Sequence, residues 1–271
     1  MTDQMHVAML HEVFFGDDAE QRLTARLQEA RAAGAELAVL PELPMQTWCA
    51  AERTPANEDA EPPEGPRHRI MAAAARAAGV GLVGGAIVRD PDTGLRFNTA
   101  LVFAADGTLV DTYRKCHIPE EPGFWESDHY EPGNAPPRVI EGFGLPFGVQ
   151  ICSDTNRPFG THLLAASGAA LVVIPRSTEA ATYERWRLVL RANALVSACH
   201  VICVNRPGPE FGVLIGGPSV AVSPQGEVVA ESEDPVTVVA VDRAPVEAAR
   251  RGYPGYLTWH RDLYVEGWGG A

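Results

Sequence analysis

Short apolar runs alternate with helix-patterned stretches along most of this chain, and that alternation restricts the fold more than any other feature. Residues 6–10 read as a strand. Residues 18–33 follow with Leu23, Leu27 and Ala30 on one helical face, and Gly34 supplies a stop. Residues 37–40 are a second apolar strand, ended by Pro41. Pro66 suits a helix start and Gly79 a helix stop, with alanine-rich sequence between. Strands are predicted over 80–88, 99–103 and 108–114, the last two joined by a hairpin turn at 104–107. The second half repeats the pattern. Strands are expected at 146–152, 171–174 and 201–205, with helices starting at an Asn156 cap and spanning 182–198. A hairpin over 218–222 and 227–231 precedes a last strand at 236–241. Strands outnumber helices, and β-α-β units mix with hairpins, which predicts an α/β fold with mixed sheets. No linker or compositional break divides the chain, so residues 1–271 read as one domain. The aromatic tail from about 250 to 271 (Tyr253, Tyr256, Trp259, Tyr264, Trp268) is expected to pack on the domain or on a partner subunit.

Composition narrows the function. Apolar residues make up 46% of the 271 positions, enough for a large core. Lys and Arg total 22 against 35 Asp and Glu, a formal charge of −13. That surface repels phosphate backbones and anionic lipids, so neither nucleic acid nor membrane is an expected partner. The first residues lack the basic and apolar regions of a signal peptide. No apolar run approaches the ~20 residues that span a bilayer. Five cysteines at 49, 116, 152, 199 and 203 form neither an even disulfide set nor a CxxC pair. The reading is a reduced, cytoplasmic protein in which a functional cysteine acts as a thiol. The eight histidines show no metal-ligand spacing, and no metal is expected.

Two familiar strings lead nowhere. Gly79, Gly81 and Gly84 fit GxGxxG, but a dinucleotide loop needs a strand before it and a helix after it. Here a helix precedes and a strand follows, so the glycines read as a core strand in close backbone contact. No GxSxG elbow is present.

The chemistry concentrates at three strand ends. Residues 147–151 are apolar apart from Gln150, and Cys152 follows on a turn toward a helix. Ligands collect at the carboxyl ends of strands in α/β sheets, so Cys152 is a candidate nucleophile. Glu42 follows the strand at 37–40, and Lys115 follows the strand at 108–114. A thiol, a carboxylate and an ammonium make a catalytic set: nucleophile, general base and oxyanion stabiliser. Residues 115–138, rich in Pro, Gly and acidic side chains, form a long loop of the kind that serves function.

Leu-Pro-Glu42, Tyr-Arg-Lys115-Cys-His and Ile-Cys152-Ser-Asp resemble, in order and spacing, the three catalytic motifs of the nitrilase superfamily of carbon–nitrogen hydrolases. Further likenesses are Glu131-Pro-Gly-Asn, Arg191-Ala-Asn193, Val204-Asn205-Arg206, Gly217-Pro-Ser219 and Arg261-Asp-Leu-Tyr264, so the resemblance runs from about residue 5 to 265. It implies a four-layer α-β-β-α sandwich with two mixed sheets and no metal or organic cofactor. It also implies Cys152 as nucleophile, Glu42 as proton carrier, Lys115 at the tetrahedral intermediate and the Ser153 backbone N–H as second oxyanion donor. A second glutamate in the loop is implied, with Glu126 preferred over Glu120 and Glu121. The substrate implied is a small molecule carrying an amide or N-carbamoyl group, cleaved through a thioester with release of ammonia. A nitrile substrate and a non-catalytic binding protein on the same fold are the alternatives. The family's habit implies a homodimer or higher homo-oligomer.

Residues around the three motifs supply expectations for the pocket. Arg176, at a strand end, is placed to grip a substrate carboxylate or to pair with Glu179 or Asp154. Trp48 and Trp125 are candidate pocket walls, and Arg157 is a further binding candidate. His117 is expected to support the lysine loop.

Overall fold

The computed structural model describes residues 3–269, with side chains through residue 267. In chain order the main elements are β1 (Gln4–Met9), α1 (Ala19–Ala32), β2 (Leu37–Val39), β3 (Ala60–Glu61), α2 (Pro66–Ala78), β4 (Gly81–Arg89), β5 (Arg96–Phe103) and β6 (Leu109–Arg114). The second half holds β7 (Val139–Ile140), β8 (Phe147–Val149), α3 (Phe159–Ala166), β9 (Leu171–Arg176), α4 (Tyr183–Ser197) and β10 (His200–Asn205). It closes with β11 (Ser219–Val222), β12 (Val228–Ser232), β13 (Thr237–Asp242), α5 (Arg243–Arg251) and α6 (Arg261–Gly269).

The strands form two mixed sheets. The first runs β13-β1-β2-β4-β5-β6, with β3 beside β4. The second runs β12-β11-β10-β9-β8-β7. Each has a parallel centre, β1-β2-β4 or β8-β9-β10, and antiparallel flanks. Strand parity explains the layering. In β1, Met5, Val7 and Met9 face the core between the sheets, while Ala8 lies in the core under α1 and α2. In β9, Leu171 and Val173 face the inter-sheet core, while Val172 and Ile174 face α3 and α4. Central strands buried on both faces read as continuous apolar runs, which is why the sequence displayed them so clearly. The result is the expected α-β-β-α sandwich. No described helix is long and apolar enough to cross a membrane.

Local signals and structure agree closely at α2. Pro66 occupies its first turn, and Gly79 ends it in the left-handed region at φ 64°. Gly81 and Gly84 lie inside β4, where a Cβ would come within 2.6 Å of Phe143 and 2.5 Å of the Met71 sulfur. They permit close packing, not phosphate binding. One start was misplaced. Residues 152–156 continue as a 3-10 turn, so α3 begins at Phe159 with Pro158 in the cap position, not at Asn156. The tail forms α6, and Tyr253, Tyr256, Leu263 and Tyr264 are exposed on this chain. Trp259 meets the His162 ring edge-on at 5.0 Å. The Trp268 side chain lies outside the described residues.

Candidate active site

The ends of β2, β6, β8 and β9 converge at one edge of the sandwich. Beyond β2 the chain turns at Leu43, whose φ is +48°, and Glu42 points inward. Arg206 clamps this turn. Its buried guanidinium donates to the carbonyls of Glu42, Leu43 and Gln46 at 3.3, 2.8 and 2.7 Å, and its charge pairs with Glu210 at 2.6 Å. The Glu42 N–H donates to the Arg176 carbonyl, which ties the first sheet to the second.

Lys115 follows β6 and is completely buried. Its Nζ donates to Glu42 Oε1 at 2.8 Å and to Glu126 Oε2 at 2.5 Å. Asn98, on β5, also donates to Glu42 Oε1 at 2.8 Å, and the Tyr130 hydroxyl donates to Glu126. Glu42 Oε2 and Glu126 Oε1 are buried with no hydrogen-bond partner among the described residues. Each carboxylate thus has one atom committed to the lysine and one free.

Cys152 follows β8 by three residues, in the left-handed region at φ +44°. That conformation is strained for a non-glycine residue and turns the side chain out of the strand direction. The elbow is pinned by Asp154, the fourth residue of its motif. Asp154 accepts from the Ile151, Cys116 and His117 N–H groups and the Tyr113 hydroxyl, and lies 2.7 Å from His117 Nδ1. One carboxylate therefore locks the thiol-bearing turn to the lysine-bearing loop. His117 supports that loop, as expected.

A cavity of ≈ 280 Å³ opens over this cluster. Cys152, Ser153 and Glu126 line it, with Ser177 and Thr178 beyond β9. Phe124, Trp186 and Val189 provide apolar wall, and Glu121, Glu179 and Arg185 bring charge. Of the three candidate glutamates, Glu126 is buried and reaches Lys115, whereas Glu120 and Glu121 are exposed. The Ser153 hydroxyl donates to the His117 carbonyl at 2.5 Å and is committed there.

Four expected binding residues sit elsewhere. Arg176 does not face the cavity and pairs with neither Glu179 nor Asp154. β9 extends to residue 176, so Arg176 keeps the parity of Val172 and Ile174 and points under α4. There it donates to Thr178 Oγ1 at 2.6 Å and the Pro218 carbonyl at 2.9 Å, fully buried. Trp48 is buried behind Phe124, with its indole N–H on the Gly123 carbonyl at 2.8 Å. It braces a wall residue without being one. Trp125 is covered by the Arg53 guanidinium at 3.6 Å. Arg157 is exposed, and its neighbour Asn156 lines the cavity instead. Sequence reading missed Asn98, Tyr130 and Asp154 as site residues. Asn98 left one local signal, a polar amide inside the apolar run of β5.

Electrostatics follow from burial. For Lys115, burial favours the neutral amine, but the Glu126 and Glu42 carboxylates outweigh it and hold the ammonium more firmly than usual. Burial pushes Glu126 up to about 7, against the pull of Lys115. Burial, then Glu42, hold the Cys152 thiol well above its ordinary range. At rest this burial favours the neutral thiol over the thiolate.

Glu126 also sets a pH dependence. Its carboxyl holds its proton to about 7 in the folded chain against an ordinary 4.5, so between those values the folded state binds more protons than the unfolded. Stability falls as pH rises through this window, by at most about 1.4 kcal/mol per pH unit from this group. Glu126→Gln is expected to remove that slope from unfolding free energies measured between pH 4.5 and 7.5. An unchanged slope would show that other groups carry it.

The carbon-nitrogen hydrolase family matches residues 18–251. The chain belongs to that family. Among its relatives, omega-amidase NIT2-A of Xenopus laevis is 31% identical over 91% of this chain and 91% of that protein. N-carbamoylputrescine amidase of Arabidopsis thaliana is 26% identical over 88% of this chain and 86% of that protein. The crystal structure of Saccharomyces cerevisiae Nit3, a member of branch 10 of the nitrilase superfamily, superposes with a TM-score of 0.81 at 26% identity, covering 96% and 97% of the two chains. This carbon-nitrogen hydrolase is thus an enzyme acting on a non-peptide C–N bond, on the sandwich that the sequence resemblance implied.

Proposed function

We propose that this hydrolase cleaves a small aliphatic amide through Cys152, with Glu42 carrying the proton, Lys115 stabilising the oxyanion and Glu126 orienting Lys115 and the leaving amine. The observation that carries this reading is the buried chain Glu42–Lys115–Glu126 beneath a cavity that exposes the Cys152 thiol. The free Glu42 Oε2 takes the thiol proton as sulfur bonds to the carbonyl carbon. The carbonyl oxygen gains charge beside the Lys115 ammonium and the Ser153 backbone N–H. Glu42 then passes its proton to the departing nitrogen, the C–N bond breaks, and ammonia leaves a thioester. Water, deprotonated by Glu42, attacks the thioester carbon. The C–S bond breaks, the thiol regains a proton and the carboxylic acid is released. Glu126 lines the cavity, and its unpartnered Oε1 is the acceptor for the substrate N–H. Glu42→Gln keeps the size of the side chain but cannot shuttle the proton. It is expected to lower kcat by about 10²–10⁴-fold with little change in KM.

The apolar wall of Phe124, Trp186 and Val189 suits a short carbon chain. Among the described residues Arg185 is the cation lining the cavity, and it suits a substrate carboxylate, in keeping with the omega-amidase relative. A second reading, an N-carbamoyl amine, is favoured by Glu121 and Glu179 in the same cavity lining and by the N-carbamoylputrescine amidase relative. Ammonia release over a panel of half-amides of dicarboxylic acids, N-carbamoyl amines, neutral amides and nitriles tests both. Half-amides are expected to lead, with Arg185→Ala raising KM for them and sparing neutral amides. Preference for N-carbamoyl amines would select the second reading, and turnover of nitriles alone would displace both.

Two properties of the setting belong to the same proposal. The exposed aromatic and aliphatic side chains of the tail suit burial against a second copy in a homodimer or larger homo-oligomer. The five cysteines, all free thiols, suit a reducing cytoplasm.

A further inference from the structure

Behind the cavity lies a second cluster of reactive side chains that the hydrolytic chemistry does not use. Cys49 Sγ, an Asp59 carboxylate oxygen and a His129 ring nitrogen lie within 4.8 Å of one another. They come from three turns: the 3-10 turn Cys49–Ala51, the 3-10 turn Asn57–Asp59, and the cap of the 3-10 turn Glu126–Asp128.

The histidine reveals its own tautomer. His129 is 1% exposed, and its Nε2 lies 2.7 Å from the Glu52 carbonyl. A carbonyl only accepts, so Nε2 carries a proton. Nδ1 then presents a lone pair in the neutral ring. That atom lies 3.8 Å from Asp59 Oδ2, beyond hydrogen-bond reach, and has no partner among the described residues. A buried acceptor left unpaired is destabilising, and a ligand that accepts its lone pair relieves that cost. Gln46 adds a second such atom. Its Oε1 is buried without a partner, while its Nε2 lies 3.5 Å from Cys49 Sγ. The two ends of an amide exchange by a flip, which turns Oε1 toward the sulfur.

We propose that Cys49, Asp59 and His129 bind a divalent cation of the zinc class, with Gln46 Oε1 or water completing a tetrahedron. Thiolate with imidazole selects zinc over magnesium or calcium, which prefer all-oxygen shells. A ring N–H held by a backbone carbonyl is the usual outer support of a metal-ligating histidine. With bonds of about 2.0–2.3 Å, tetrahedral ligands lie roughly 3.3–3.6 Å apart, so each ligand closes in by about 1 Å or less. Binding releases the Cys49 proton to solvent as the sulfur–metal bond forms. The metal joins three turns, one of which carries Glu126 at its start, since the His129 N–H donates to the Glu126 carbonyl at 2.9 Å. Its role is to brace the loop that presents Glu126 to Lys115. The three ligands stand at positions 49, 59 and 129, which is why no sequence spacing announced them.

Cobalt(II) titrated into full-length Cys152→Ala, which removes the competing nucleophile thiol, tests the site. One equivalent is expected to bind with thiolate-to-cobalt charge-transfer absorption, to be displaced by zinc, and zinc is expected to raise the thermal midpoint. Adding Cys49→Ser is expected to remove the absorption and weaken zinc binding at least 100-fold. Should that variant fail to fold, Asp59→Asn carries the comparison, with weaker binding expected. Absence of stoichiometric binding, or a charge-transfer band that survives Cys49→Ser, overturns the proposal.

Discussion

Cys152→Ala is expected to abolish ammonia release from every substrate the wild type turns over, a loss of at least about 10⁴-fold in kcat. The size follows from the proposed pathway. Without Sγ no thioester forms, and water must attack the amide directly. The adjacent Ser153 hydroxyl cannot readily substitute, since it is committed to the His117 carbonyl. Lys115 and Glu42 remain, so only the residual electrostatic stabilisation survives. The fold should persist, because alanine removes one sulfur and the Asp154 bonds that pin the elbow go to neighbouring backbone and side chains. Intact mass would show an acyl adduct on trapped wild type and none on the variant. Retention of even 1% of turnover by a well-folded Cys152→Ala would remove the cysteine from the mechanism.

Lys115→Met is expected to lose both activity and stability. The substitution keeps an unbranched apolar stem but removes the ammonium from between two fully buried carboxylates. Breaking a buried ion pair by deleting one partner typically costs about 3–5 kcal/mol, because the remaining charge has no compensation. Here two negative groups are left facing each other. Without the opposing pull of Lys115, Glu126 rises further above its value of about 7. An acid raised in the folded state stabilises at low pH, and that stability disappears as pH rises through the folded value. The deficit against wild type should therefore be larger at pH 8 than at pH 5. Adding Glu126→Gln should restore part of the stability and none of the turnover. A variant as stable as wild type at both pH values would show that the ammonium is not compensating buried charge.

The ends of three strands were readable because the signal is local. An apolar run followed by Glu42, Lys115 or Cys152 says that a polar group stands where a strand leaves the core. The long loop was readable as a loop for the same reason, from its Pro, Gly and acidic content. Choosing among Glu120, Glu121 and Glu126 required knowing which one turns inward, and that depends on Tyr130 and Lys115 meeting it across the fold. Arg176 shows how little separates a correct reading from a reversed one. Two extra residues of strand kept it in ladder with β10, and parity turned its guanidinium under α4 instead of into the cavity.

The sequence by itself determined the alternation of strands and helices, an α/β fold with mixed sheets, and the identity of the reactive groups at the strand ends; the four-layer sandwich came from the family resemblance. The first three follow from short-range patterns: side-chain period, turn residues and caps. Only the tertiary structure decided which groups touch. It joined Glu42, Lys115 and Glu126 into one buried chain, and set Asp154 as the bond between two loops. It built the cavity wall from the Arg185, Trp186 and Val189 face of α4, and gathered Cys49, Asp59 and His129. Most of these contacts join residues distant in sequence, and their geometry is set by how two sheets pack, a quantity that no local run of residues encodes.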